Sequence, residues 1–411
     1  MHLPLVSRLM PLLATTFMAV CPTHAQRILS SSDIFVSVKG SVPYRIPAIA
    51  TTHRGTVVAV ADYRYGGFDI GYGRVELHRR RSTDGGRTWG DVLEFTYGNG
   101  DMKTPNNYYA AYGDPAIVAD RESDNILVLS CSGNVPFQTG TPSNHQGIAR
   151  FYSTDDGQTF TAPGFIHDEV YGLFWDAKRG PIQAMFVGSG RIFQSRSVKV
   201  KVFYRLYCSV LARDKDNTYC NYVIYSDDFG HSWQLLGTVD EPAIPQGADE
   251  PKVEELPNGN ILCSSRVNGG RAFNIFTFTD AAKAQGSWGT MARSDAQNHG
   301  TVAVDNSTNG EVMLLQSIPV GGGRKADVLL QSVPLGPRRA NVGIYYKVLD
   351  NPAKYDTPAH LAADWDGHFQ VSHLPSAYST MTLLPDGNLG FFYEEETYGV
   401  CYNLVFTTIT L

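Results

Sequence analysis

Apolar residues in this chain fall in short runs broken by Gly, Asn, Asp and Pro, with little of the spacing that marks helices. Strand-like runs occupy residues 55–60, 125–130, 191–193, 222–225, 260–264, 311–317, 342–348 and 389–393. Runs 202–210 and 218–225 flank the turn-like Asp214-Lys215-Asp216-Asn217. Two turns share one form, Leu256-Pro257-Asn258-Gly259-Asn260 and Leu384-Pro385-Asp386-Gly387-Asn388. Asn-Gly and Asp-Gly between apolar runs predict β-hairpins. The pattern predicts an all-β chain, and no linker separates a second domain.

An eight-residue pattern, Ser-x-Asp-x-Gly-x-(Ser/Thr)-aromatic, punctuates these runs. It reads Ser82-Thr83-Asp84-Gly85-Gly86-Arg87-Thr88-Trp89, then Ser153-Thr154-Asp155-Asp156-Gly157-Gln158-Thr159-Phe160, then Ser226-Asp227-Asp228-Phe229-Gly230-His231-Ser232-Trp233. A degraded fourth copy lies between Thr279-Asp280 and Gly286-Ser287-Trp288. The chemistry is that of a tight turn. Asp accepts from backbone N–H groups just downstream, Gly takes a positive φ, and the aromatic packs back beneath. The intervals, 153 − 82 = 71 and 226 − 153 = 73 residues, predict repeated units. Dividing the length by the spacing gives roughly five to six units, in the range of a propeller.

The repeat resembles the Asp box of the sialidases and related β-propellers. The resemblance implies six blades of four antiparallel strands. The boxes themselves read as structural, so function has to be sought elsewhere.

Composition narrows the class. The chain is 43% apolar with a formal net charge of −6, acid and base interspersed, so it carries no basic footprint for nucleic acid. Arg8, the apolar run 10–20 and Thr23-His24-Ala25 predict a signal peptide over residues 1–25. That run is shorter than a membrane span needs, and no later run reaches ~18 apolar residues. A secreted or periplasmic catalytic domain over 26–411 is the expectation, with a lipid anchor on Cys21 disfavoured by Val20 before it. Cys131, Cys208, Cys220, Cys263 and Cys401 would remain, an odd number. Cys208 and Cys220 could bridge their hairpin if the register allows, or be buried apolar thiols.

Tyr44-Arg45-Ile46-Pro47 opens this domain. On its own Arg45 could be a solvated surface charge. In sialidases an Arg-Ile-Pro supplies the first of three arginines that hold the substrate carboxylate, and the likeness covers nearly all of the chain after residue 25. Guanidinium suits that task because it offers a planar bidentate fork and stays charged at any working pH. By the same resemblance the second is Arg266 in Ser264-Ser265-Arg266, with Arg271 as competitor. The third is Arg339, chosen over Arg338 because Arg339-Ala340-Asn341-Val342 fits the family's Arg-x-Asn/Asp-Leu/Val.

Glycosidases usually work with two carboxylates, and sialidases are the exception that uses a Tyr nucleophile. An anionic nucleophile would be repelled by a carboxylate on the carbon it attacks, whereas a phenol deprotonated during attack would not. Pro375-Ser376-Ala377-Tyr378-Ser379 matches the family's Tyr-Ser segment, making Tyr378 the implied nucleophile. Asp249-Glu250-Pro251-Lys252-Val253 places Glu250 as the implied base, with Glu254 and Glu255 expected to face solvent. Asp69, after Asp62-Tyr63-Arg64 and the flexible Gly66-Gly67, is the implied acid/base on a loop that closes over substrate.

Arg64 resembles the family arginine near the ring 4-hydroxyl. Asp114 in Gly113-Asp114-Pro115 resembles the acid sharing that region and the N-acyl pocket. Glu394 resembles the acid orienting the first arginine, with Glu395 and Glu396 as register rivals. Aromatics near Trp175 are candidates for the remaining pocket. Nothing calls for a metal or organic cofactor. There is no phosphate loop and no His/Cys ligand spacing, Asp214-x-Asp216 lacks the rest of a calcium loop, and the eleven histidines do not cluster in sequence.

The expectation is a monomeric retaining exo-sialidase acting on sialylated glycans. One rival is a transferase or an anhydro-forming enzyme with the same inner residues. Another is a non-catalytic glycan-binding propeller, which would have no use for a Tyr–Glu pair.

Overall fold

The computed structural model describes residues 26–38, 43–396 and 401–411. The segment 1–25 read as a signal, Cys21 included, lies outside the described residues. Six antiparallel sheets follow one another along the chain as the blades of a β-propeller. The first is built from Tyr44–Thr51, Val57–Arg64, Val75–Ser82 and Leu93–Glu94. The second holds Tyr112–Ala119, Ile126–Ser132, Gly147–Ser153 and Gly164–Phe165. In the third, Ala184–Val187 and Phe193–Val200 share one side of Phe203–Arg213, followed by Tyr219–Ser226 and Gln234–Leu235. The fourth contains Pro251–Glu255, Ile261–Val267, Gly269–Asp280 and Gln285–Trp288, plus two short additions, Ala292–Ser294 and Val302–Ala303. Val312–Pro319, Lys325–Pro334, Val342–Val348 and Gly367–Gln370 make the fifth.

The sixth blade closes the ring. Ser376–Leu383, Leu389–Glu396 and Tyr402–Ile409 are completed by Ile28–Phe35 from the other end of the chain. That strand pairs antiparallel, Ile28 opposite Ile409 and Phe35 opposite Leu404. Hydrogen bonding between the two ends thus replaces a covalent closure.

Each strand pleats, so alternate side chains serve opposite neighbours. Val57, Ala59 and Ala61 pack toward the sixth blade with Phe392 and Phe406, while Val58 and Val60 pack toward the second with Ile117 and Phe151. Burial on both faces explains why these runs read as continuously apolar and not as alternating. Equivalent clusters fill every other gap between blades, such as Val118, Leu127, Val210 and Ile224 between the second and third. Residues 191–193 depart from the single strand expected. Gly190–Arg191 pairs parallel with the second blade, and the chain crosses at Ile192 into the third.

The three Ser-x-Asp-x-Gly segments sit at the turn leaving the third strand of the first three blades. Asp84 accepts from the Thr88 backbone N–H at 2.9 Å, from Thr88 Oγ1 at 2.6 Å and from Ser82 Oγ at 2.8 Å. Asp155 and Asp228 repeat this set. These bonds to the ionised form hold the Asp84 carboxyl down at about 2, with the Thr88 hydroxyl the largest contributor. Gly86 has φ +88°, and a Cβ there would stand 2.1 Å from the Phe406 ring, so only glycine fits. Asp280 marks the same turn of the fourth blade, but its carboxylate bonds Lys283 and the Ala282 backbone. Asp84→Ala is expected to cost about 1–2 kcal/mol, several modest bonds discounted for partial exposure. Thermal unfolding should shift down by a few degrees while the site's ligand affinity stays unchanged. A matching loss of ligand affinity would count against a structural role.

The cysteine bridge does not form. Register puts Cys208 opposite Ile224 and Cys220 opposite Ala212, four positions apart along the hairpin. All five described cysteines are free and buried.

Candidate active site

Second strands end, and first strands begin, on the face of the ring opposite the Ser-x-Asp-x-Gly turns. That follows from antiparallel pairing: a third strand starts where the second ends and carries its turn to the far side. Arg45 and Tyr378 lie near the start of the first strands of blades one and six, with Asp114 in that of blade two. Glu250 immediately precedes the first strand of blade four. Arg64, Arg266 and Glu394 lie toward the ends of second strands. Asp69 is on the loop after Arg64, and Arg339 on the loop before Val342–Val348. Eight of these nine residues line one cavity of about 330 Å³. Glu394 lies behind it, fully buried.

At the floor the Tyr378 hydroxyl donates to Glu250 Oε1 at 2.6 Å. Arg266 Nη1 donates to Glu250 Oε2 at 2.7 Å and to the Tyr378 oxygen at 3.2 Å. Burial, then the Glu250 carboxylate, push the Tyr378 phenol well above its ordinary range. It therefore rests neutral, with an acceptor already on its proton. Burial and Glu250 also raise the neighbouring Asp249 carboxyl, which lies 3.6 Å from Arg266.

Around this pair stand three arginines. Glu394 accepts from Arg45 Nε at 2.7 Å and Nη2 at 3.3 Å, and also from the backbone N–H groups of Ile46 and Tyr378. One buried carboxylate thereby fixes both the first arginine and the tyrosine strand. Ser307 Oγ accepts from Arg266 Nε at 3.0 Å. Arg339 stands 5.8 Å from the centre of the Tyr378 ring, as does Arg45. Among the described residues no carboxylate pairs with Arg339, so its fork is available to an incoming anion.

The opposite wall carries the acids. Arg64 Nη2 lies 2.9 Å from Asp62 Oδ2, 3.2 Å from Asp69 Oδ1 and 3.7 Å from Asp114 Oδ1. Burial raises Asp62 to about 7, against the pull of Arg64. It raises Asp114 well above the carboxylate range, with Asp62 and Asp69 adding to the effect. Asp69 itself is 57% exposed at the mouth, on a loop whose Gly66 and Gly67 take positive φ.

Rival registers separate cleanly. Arg271 is fully buried inside the fourth blade on Ser264, its pKa drawn down by burial to about 10, and it does not reach the cavity. Arg338 is absent from the lining, whereas Arg339 is in it. Glu395 bonds Tyr393 and not Arg45. Glu254 and Glu255 do not face solvent as expected. They are buried because Arg191 and Arg196 bind Glu254, and Ser195 binds Glu255.

Trp175 is 64% exposed and outside the cavity. The wall beyond Asp114 comes from Phe137, Gln146, Phe186, Leu211 and Tyr219. Nothing in their spacing announces this, because they come from different strands and loops of blades two and three. Asp249 and Asp62 were legible as neighbours of motif residues, yet no motif assigned them a place. Among the described residues Glu76, His78 and Glu94 bring possible metal ligands together. Glu76 is already committed to Arg74, Tyr65 and the Gly98 N–H.

No protein-family profile matches the chain. The sialidase of Micromonospora viridifaciens is 25% identical over 402 residues, covering 93% of this chain and 55% of that protein. The chain spans about half the length of the curated relatives it matches. Among solved structures, a Hadza microbial sialidase superimposes with a TM-score of 0.67 at 21% identity, over 90% of this chain and 66% of the other. The intramolecular trans-sialidase from Ruminococcus gnavus also gives a TM-score of 0.67, at 16% identity, over 93% of this chain and 97% of the other. The sequence likeness to a sialidase runs through nearly the whole propeller, and solved sialidases share the fold beneath it.

Proposed function

We propose that this protein is a retaining exo-sialidase, releasing terminal α-linked sialic acid from glycans. The observation that carries the reading is the Tyr378–Glu250 hydrogen bond of 2.6 Å beneath Arg45, Arg266 and Arg339. A cavity of about 330 Å³ is at the small end for ligand sites, which favours one terminal sugar over an internal segment.

The steps follow from the geometry. The three guanidiniums hold the sugar carboxylate and so set the anomeric carbon above Tyr378. Asp69 donates its proton to the glycosidic oxygen as the aglycone departs toward the open mouth. The Tyr378 oxygen attacks the anomeric carbon while Glu250 takes the phenolic proton, so the nucleophile never has to be a free phenolate. Asp69, now ionised, removes a proton from water, which displaces the Tyr378 oxygen as Glu250 returns the phenolic proton, and the starting configuration is restored. Arg64 and Asp114 face the ring substituents on the other side. The segment 1–25 fits export, and a secreted location belongs to the same reading.

The test is release of the aryl group from an aryl sialoside by the purified protein, with the first-formed anomer of the sugar read by NMR. Release with retained configuration is the expected result. No release between roughly pH 4 and pH 8 would sink the enzyme reading. A second reading, intramolecular transfer, is favoured by the Ruminococcus gnavus and leech intramolecular trans-sialidase neighbours and by the Macrobdella decora anhydrosialidase, 36% identical over 121 residues. It predicts an anhydro sugar in place of free sialic acid in the same product analysis.

A further inference from the structure

Asp62 does not line the cavity, yet it holds two residues of the acid wall, Arg64 and Asp114. It lies in the strand Val57–Arg64 with no exposed surface. Oδ2 accepts from Arg64 Nε at 3.1 Å and Nη2 at 2.9 Å. Oδ1 accepts from the backbone N–H of Asp114 at 2.9 Å. One carboxylate therefore spans the first and second blades.

What it holds is not at rest elsewhere. Asp114 has φ +50°, a left-handed conformation that non-glycine residues resist. The pairing of its strand slips between Gly113 and Ala116. A Cβ on Gly113 would come within 3.0 Å of Asp62 Oδ2, so the second blade approaches this carboxylate as closely as a glycine allows. Arg64 Nη2, fixed by Oδ2, is also the atom that reaches Asp69 Oδ1. Asp69 has no strand to hold it. Its carboxylate contacts that guanidinium and accepts from the N–H of Ile70, and its backbone carbonyl accepts from the Tyr72 N–H at 3.0 Å.

We propose that Asp62 is a positioning residue for the reaction: by gripping Arg64 and the Asp114 backbone with one carboxylate, it sets where Asp69 stands for proton transfer. The proposal rests on reading Asp69 as the acid. The plainer alternative is that Asp62 only neutralises a buried arginine. These differ in outcome, because Asp69 and Asp114 remain to balance Arg64 when Asp62 loses its charge.

Asp62→Asn tests it. The amide has one oxygen, so it cannot accept from both Arg64 and the Asp114 N–H. Its nitrogen must face a donor, so either Arg64 or the Asp114 N–H is released, and one of the two anchors of the acid wall is lost. A displacement of the order of 1 Å in a catalytic group costs about 100-fold. The expected result is a loss in kcat/KM of about that size on a sialyl-galactoside, whose leaving group needs protonation. On an aryl sialoside with a good leaving group the loss should be under about tenfold.

In an Asp69→Ala background the added discrimination should vanish, since both changes act through one proton transfer. Equal losses on the two substrates, tracking a fall in Tm, would overturn the proposal. Should Asp62→Asn fail to fold, Asp62→Glu keeps the charge and shifts it by one methylene, and must show the same split between substrates. If it shows none, the proposal is overturned. Asp69→Ala alone separates the two readings. Without leaving-group discrimination there, the acid assignment itself fails. With it there, and none in Asp62→Asn, only the role of Asp62 fails.

Discussion

Tyr378→Phe is expected to lower kcat on an aryl sialoside by at least ~1,000-fold, equivalent to about 4 kcal/mol of barrier. The substitution removes one oxygen and leaves the ring where it is, packed against Ile46 and Ala377. Glu250 keeps its partner Arg266, so the change does not strand a buried carboxylate. The carboxylate clamp of Arg45, Arg266 and Arg339 also survives. Affinity for a sialic-acid-like carboxylate should therefore stay within a few fold of the parent, measured by calorimetry. The loss then falls on kcat, the signature of an interaction made in the transition state. Retention of more than about a tenth of the parent rate would remove Tyr378 from the chemistry. It would also shift the search to Asp249, Glu250 and a directly attacking water.

The second large effect concerns the acid. Asp69→Ala should lower kcat/KM on a sialyl-galactoside by about 100- to 10,000-fold, the range general acid–base groups supply. The aryl sialoside should suffer far less, because a good leaving group departs without a proton. Exposure of the Asp69 side chain at the mouth makes the fold indifferent to the change, and Tm should hold. Equal losses on the two substrates would argue for a binding role beside Arg64 and against proton transfer. Adding a small anionic nucleophile such as azide should restore turnover of the aryl substrate by the variant, since the empty position near the mouth then admits a nucleophile that needs no base. Absence of any rescue, with both substrates equally impaired, would close the case against Asp69.

Much of the fold could be read along the chain because its signals are local. Each Ser-x-Asp-x-Gly turn closes within seven residues through Asp84, Asp155 or Asp228, and so it is written in consecutive letters. The run 342–348 was found as it stands in the structure, because a strand buried on both faces is largely apolar, its one charge, Lys347, being buried on the carbonyls of His360, Leu361 and Ala363. Errors fell where a distant partner decides. Glu254 reads as solvated next to a hairpin, and it is buried because Arg191 of the second blade and Arg196 of the third reach it. The Cys208–Cys220 pairing failed because register across a hairpin is set by packing on both sides.

For the site, the split has the same cause. Motifs name Arg45, Asp69, Glu250, Arg266, Arg339 and Tyr378 one at a time, by the letters beside them. The family resemblance gives Glu394 to Arg45, 349 positions away, but no local pattern could say that the same carboxylate also accepts from the Tyr378 N–H. Nor could it say that Asp62 grips the backbone of Asp114, or that Phe137, Phe186, Leu211 and Tyr219 wall the far side. The sequence by itself determined the strand class, the repeated turns and the candidates for the reacting groups, since these depend on neighbours within a few residues. Only the tertiary structure decided which groups meet, which are buried and which are held. Closing six blades into a ring brings chain-distant strand ends to one face, and distances and burial exist only once that closure has occurred.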